Sequence, residues 1–297
     1  MCNWCTNKIT IRGDNLERLK KHLIREDDRE PRFDFNTIIP MPKELEVEKS
    51  SKSNDGFLLY LASINPLIPN IGKTEDKLSV KEFSNVMVKH FPDCFGKLKN
   101  YILKPSEVDN YKARHSENLE ETIAMGKQVF DNTIKFGYSD WYDWSIDKWG
   151  TKWNACNTFL SDDMTEILFD SAWSPSLPVI AELAKMYPDL EITHEWAEEQ
   201  TGWYSGKYTY RNGELVEALD YDSYSKEAYE LSFELWGNDE AYRFNEETGN
   251  YEWIEEDEWW IPLPRDAITV SINQPNTVQH RKSQARYSRK KKSKTET

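Results

Sequence analysis

Polar and apolar residues alternate along "CTNKITIRG" from Cys5 to Ile11 and the alternation stops at Gly13, the pattern of a half-buried strand. Leu16, Leu19, Leu23 and Ile24 then recur at helical spacing, with Asp14 or Asn15 placed to cap the helix they predict. "RFDFNTIIPMP" alternates again through Phe33, Phe35 and Ile38 and breaks at Pro40 and Pro42, which have no N–H to give a ladder. The first unit therefore reads as β-α-β. A second follows much later: "TEILFDSAWSP" as a strand, "SLPVIAELAKMYPDL" as a helix burying Leu177, Ile180, Leu183, Ala184 and Tyr187, and "EITHEWAEE" as a strand alternating through Ile192, His194 and Trp196. Pro178 falls near the start of that helix, where a missing N–H costs little.

Two β-α-β halves predict an α+β ferredoxin-like sandwich, with helices on one face of a mainly antiparallel sheet. Residues 43–75, rich in Ser, Asn, Lys and Pro, read as loop. Residues 76–130 carry helical patterns through Val80, Phe83, Val86, Met87 and His90, then Leu119, Ile123 and Phe130. The organisation expected is a sandwich over 1–212 with a helical insertion at about 43–130. An acidic, aromatic-rich domain or arm follows over 213–280, and a basic tail over 281–297. Within "GWYSGKYTYRNGELVEAL", Asn212-Gly213 is a hairpin signal.

Charge sharpens this division. The formal net charge is −14, but residues 281–297 carry eight Lys or Arg against one Glu, so the tail is +7 and the remainder −21. An acidic body repels phosphates, which leaves nucleic-acid binding to the tail, through Arg286, Arg289, Lys290, Lys291 and Lys292, and makes it weak. From Gly213 to Trp260, sixteen Asp or Glu stand against Lys226 and Arg243. There Trp236, Trp253, Trp259 and Trp260 are set among Glu255, Glu256, Asp257 and Glu258, a pattern in which the rings anchor a partner and the acids steer it. No apolar run approaches the length of a membrane span, and nothing near Met1 reads as a signal peptide, so a soluble, cytoplasmic protein is expected.

The motif order "NWCTNKITIRG", "FDFNTIIPMP", "WYDWSIDKWGTKWNA" and "FDSAWSPSLPVIAELAKMYPDL" resembles the YubB-like proteins of phages and plasmids, over roughly residues 1–210. The resemblance implies a ferredoxin-like domain and an origin on a mobile element. It implies no activity and carries no catalytic residues over.

The third motif is the densest in tryptophan: Trp141, Trp144, Trp149 and Trp153 lie in thirteen residues. Spacing places Trp141, Trp144 and Lys148 on one face of a short helix ended by Gly150, after which "TKWNACNTFL" continues as loop and strand; the indoles serve as core, each N–H finding an Asp or backbone partner, and a ligand- or nucleotide-stacking surface is the alternative. Other candidate chemistry is sparse. Cys2 and Cys5 have the spacing of half a zinc site, but no second ligand pair accompanies them, so neither a metal nor a cofactor is expected. His194, with Asp170 on what reads as the neighbouring strand, is the candidate for a hydrolase. No phosphate cradle and no nucleophile motif is present.

Together these features point to a non-enzymatic phage or mobile-element protein that binds and inhibits or modulates a host complex in the bacterial cytoplasm. A defence nuclease of the Gabija type is one specific target, and homo-oligomer formation fits the same role. A nucleic-acid accessory protein acting through the tail is the alternative, and a hydrolase centred on His194 the second.

Overall fold

The computed structural model describes residues 3–24, 32–65, 68, 77–91 and 105–254. Met1–Glu252 is one compact unit; of the second, only Trp253 and Ile254 are described.

The centre is a six-stranded sheet whose recorded pairings are all antiparallel. Its strands are β1 (Trp4–Arg12), β4 (Cys156–Leu160), β5 (Glu166–Ala172), β6 (Glu191–Glu198), β7 (Ser205–Arg211) and β8 (Glu214–Asp220), in the order β4-β5-β1-β6-β7-β8. Helix α6 (Leu177–Met186) connects β5 to β6. The four strands β4, β5, β1 and β6 have the order of a ferredoxin-like sandwich, so the predicted fold class holds.

The strand predicted to complete the first half is a different one. Arg32–Phe33 (β3) pairs only with Leu23–Ile24 (β2), outside the main sheet, and β4 takes the expected place. The reason is local. Asp34 accepts a hydrogen bond from the Asn36 N–H, and the Thr37 hydroxyl donates to the Asp34 carbonyl, so the backbone curls into a 3-10 turn at Phe35–Thr37. Phe33 and Phe35 keep their alternation only as burial, meeting Phe169 at 5.3 and 5.7 Å between ring centroids. The predicted first helix is a 3-10 helix, Leu16–His22; Asn15 sits left-handed before it at φ 56° and its side chain makes no cap.

The insertion differs as well. Within residues 43–75, read as loop, Ser51–Ile64 forms helix α1, opened by a reciprocal Ser50/Ser53 capping box and largely buried from Leu59 to Ile64. Ser50, Ser51 and Ser53 are helix-start residues rather than loop residues. Helices α2 (Val80–His90), α3 (Pro105–Arg114) and α4 (Leu119–Phe136) follow. α1 and α4 cross at Gly56 and Gly126, where a Cβ on Gly126 would stand 1.9 Å from the Gly56 carbonyl oxygen. A separate apolar cluster of Leu59, Leu61, Ile64, Met87, Phe91 and Phe130 holds these helices.

The sheet is covered on both faces. Ile9, Ile11, Ile167, Phe169 and Ile192 pack under α6 in the principal core. On the other face, helix α7 (Lys226–Trp236) sets Leu231 and Leu235 against Ala197. Asn212 and Gly213, at φ 55° and 78°, make the hairpin turn from β7 to β8 that their sequence predicts. A short hairpin of β9 (Tyr242–Asn245) and β10 (Asn250–Trp253) follows α7.

Trp149 is 5% exposed and its indole N–H donates to the Ile39 carbonyl at 2.9 Å, so its removal leaves both a cavity and an unpaired carbonyl. Trp149→Ala is expected to cost roughly 3–5 kcal/mol in urea unfolding, and Trp153→Ala, at an exposed ring, under about 0.5 kcal/mol. Equal costs would mean that the two indoles are not divided between core and surface.

Candidate recognition surface

The tryptophan-rich segment forms helix α5 (Trp141–Trp149), capped by Asp140, whose side chain accepts from the Tyr142 N–H, and ended by Gly150 at φ 74°. Trp144 and Trp149 enter the principal core and meet edge-on at 5.2 Å, and Phe35 lies 5.8 Å from Trp149. The face predicted for Trp141, Trp144 and Lys148 does not form as one. Trp141 is half-buried, and Lys148 is exposed, paired with Asp147 and set over the Tyr138 ring.

The remaining indole of the segment turns outward and joins residues from three other places in the chain. Trp153 is 39% and Trp173 41% exposed. The Lys152 ammonium lies 4.4 Å from the Trp153 ring centroid, 4.8 Å from that of Trp173 and 5.6 Å from that of Tyr142. Trp4, at the start of β1, stands 6.0 Å from Trp153, and Tyr142 meets Trp173 edge-on at 6.3 Å. Lys49 sits 4.3 Å over Tyr142 while paired with Asp143. Among the described residues Lys152 makes no ion pair with a carboxylate; the ring faces alone hold its charge.

The framework under this cage is tightly bonded. The Thr151 hydroxyl donates to the Ala172 carbonyl at 2.7 Å, the Ser174 hydroxyl to the Gly150 carbonyl at 2.6 Å, and the Trp173 N–H to the Asn3 carbonyl at 2.9 Å. Trp173 adopts φ 72°, a left-handed conformation that costs a bulky residue roughly 1–3 kcal/mol and persists only where its surroundings impose it. Tyr142, Lys152 and Trp153 share one motif, but Trp4 and Trp173 are far from it in the chain, so the sequence does not bring the site together. The one local signal was Trp173 in "SAWSP", immediately past the end of a strand.

The polar groups singled out for catalysis are arranged differently. His194 is fully buried; its Nε2 lies 2.9 Å from the Asn7 Oδ1, and burial pushes its pKa down to about 3. Asp170 accepts from the Thr6 hydroxyl, and Thr6 and Asn7 face opposite sides of β1. The register thus puts His194 and Asp170 on opposite faces of the sheet, with β1 between their strands, and the expected pairing does not form. The Cys5 thiol is fully buried and held well above its usual pKa, by burial first and then by the charges of Glu198 and Asp170. Cys2 lies outside the described residues; among those described, no three His, Cys, Asp or Glu side chains converge as a metal cluster.

Of the predicted partner-binding residues, Trp236 is half-buried, packs beside Leu231 and Leu235 and donates its indole N–H to the Ala197 carbonyl at 2.9 Å. Trp253 is 51% exposed. Glu255, Glu256, Asp257, Glu258, Trp259 and Trp260, and Arg286, Arg289, Lys290, Lys291 and Lys292, lie outside the described residues. No described helix is long and apolar enough to cross a membrane.

Two buried histidines set a pH dependence. His22, bonded to Thr37 and Tyr187, is pushed down to about 4 by burial and by the neighbouring Lys21, and His194 to about 3. Both must be neutral in the folded chain, so their contribution is complete above the unfolded value near 6.5 and is lost as pH falls below it. Each should remove roughly 2 kcal/mol between pH 6.5 and pH 5. Urea unfolding across that range checks this, and His194→Asn should flatten the slope by about one proton. A stability independent of pH there would contradict the buried, neutral state of both rings.

Comparison with known proteins bears on the fold. The model of the ferredoxin-like domain in Api92-like protein matches residues 148–248, from the end of α5 through β9. The crystal structure of protein api92 from Yersinia pseudotuberculosis is similar at 15% identity and a TM-score of 0.34, over 75% of this chain and 99% of that one. A search of curated proteins found no match. Residues 148–248 are thus similar to the ferredoxin-like domain of the Api92-like family.

Proposed function

We propose that this chain is a non-enzymatic protein of a phage or mobile element that binds a host protein complex in the bacterial cytoplasm and inhibits or modulates it. The observation that carries the reading is the cluster of exposed aromatic rings around Lys152 on an acidic body. Large rings left in water on a rigid framework are what energetically central contact residues look like before a partner arrives. The charge of −21 over residues 1–280 directs such a surface towards a basic partner, of which the DNA path of a nucleic-acid-processing or defence complex is an example. A defence nuclease of the Gabija type is the specific form of this proposal, and self-association into a homo-oligomer accompanies it. The buried, neutral His194 and the buried Cys5 thiol supply no reactive group, which supports binding over hydrolysis.

The +7 tail favours a second reading, a nucleic-acid accessory protein acting through Arg286, Arg289, Lys290, Lys291 and Lys292. The two separate by charge reversal in the full chain. Changing Glu255, Glu256, Asp257 and Glu258 together to Lys should slow association with the captured host complex by about an order of magnitude or more at low salt. Changing the five basic tail residues to Gln should leave that association intact and remove any salt-dependent affinity for a single-stranded oligonucleotide. Sequence-selective oligonucleotide binding that depends on the tail, with no host complex captured, would overturn the leading reading in favour of the second.

A further inference from the structure

We infer that the cage of Tyr142, Trp153 and Trp173 is the docking point for an arginine side chain of a basic partner protein, with Lys152 as a tethered occupant that the incoming guanidinium displaces. This deepens the proposed partner-binding function and rests on it.

The electron-rich ring faces already attract cations in the free chain, since Lys152 lies against all three rings and Lys49 lies over Tyr142. The two ammoniums differ in how they are held. Lys49 reaches both carboxylate oxygens of Asp143 at 3.1 Å, whereas Lys152 has no carboxylate partner among the described residues. Lys152 is therefore the cation that an arriving group replaces at least cost, and its long stem allows the ammonium to return to water. Guanidinium is planar, less strongly hydrated than ammonium and stacks on aromatic faces, so it gains more from the same three rings.

The cage is also prepared in advance. Thr151, Ser174 and the Trp173 N–H fix both indole-bearing segments to the sheet and to each other, so little ordering is left for the moment of binding. The strained Trp173 backbone keeps one ring outward. An anionic planar ligand such as a nucleotide would use the same rings and pair with Lys152, but it would have to approach a body of charge −21, whereas a basic protein is drawn to it. The sign of the Lys152 effect separates the two.

The test follows the indole N–H signals of Trp153 and Trp173 by NMR in the full chain, assigned with Trp153→Phe and Trp173→Phe. The probes are a blocked Gly-Arg-Gly peptide, the corresponding Gly-Glu-Gly peptide and uridine monophosphate. The arginine peptide should move both signals, and Lys152→Met and Lys152→Gln should each tighten its binding by about two- to fivefold, the size of one exposed cation-to-ring contact. The glutamate peptide and the nucleotide should move neither. Weaker arginine binding in both Lys152 variants, or shifts produced by uridine monophosphate and not by arginine, would overturn the inference. A host complex captured equally well by wild type and by the Trp153→Ala, Trp173→Ala double variant would overturn the cage and leave the partner reading standing. Arginine binding as described without any captured host complex would do the reverse.

Discussion

The contact on which the architecture depends most is the Trp149 indole, pinned between the Ile39 carbonyl and the Phe35 ring. A ferredoxin-like sandwich needs its first crossover to deliver β4 beside β5, yet here β1 and β4 are separated by more than a hundred residues that include a helical cluster with its own core. A long interruption of that kind costs loop-closure entropy only weakly with length, but its ends must be fastened where it leaves and rejoins the sheet. Trp149 fastens them. Its N–H bonds to the Ile39 carbonyl just past the 3-10 turn Phe35–Thr37, and the turn at Gly150, where a Cβ would stand 2.7 Å from the Pro178 ring, brings the chain against the start of α6.

The same fastening produces the surface. With Trp144 and Trp149 turned into the core and Gly150 reversing the chain, Thr151 is still buried against β5, and only Lys152 and Trp153 come out to the surface. The short side-chain bonds that close this corner, from Thr151 and Ser174, also set Trp173 facing Lys152. Packing and exposure within one tryptophan-rich segment are thus two results of a single turn, and the recognition surface takes its rigidity from the core beneath it.

Much of this was legible in the chain. Alternation identified β1 and β6 because their faces differ in environment, "TEILFDSAWSP" read as the strand that is β5, and Asn212-Gly213 identified the β7–β8 turn because few other pairs accept two left-handed residues. "TKWNACNTFL" read as loop and then strand, and β4 forms at its end, but nothing in its pattern gave it a place in the sheet, since all five of its residues are half-buried or exposed at a sheet edge and a register shift interrupts its pairing. The "RFDF" alternation misled because Asp34 and Thr37 satisfy their own backbone, and α1 was hidden by a Ser-rich start that is itself the cap. The cage was legible only in part: Tyr142, Lys152 and Trp153 stand in the quoted "WYDWSIDKWGTKWNA", but Trp173 comes from the end of β5 and only the fold makes it their neighbour.

The central claim is that the tryptophan segment is divided, with Trp144 and Trp149 sealed in the core and Trp153 and Trp173 in water. Fluorine NMR of the 5-fluorotryptophan-labelled chain, with a soluble gadolinium chelate as relaxation agent, measures that division ring by ring. Strong broadening is expected of the Trp153 and Trp173 signals and none of those of Trp144, Trp149 and Trp196. Broadening of Trp149 as strong as that of Trp153, or protection of Trp153 and Trp173, would contradict it.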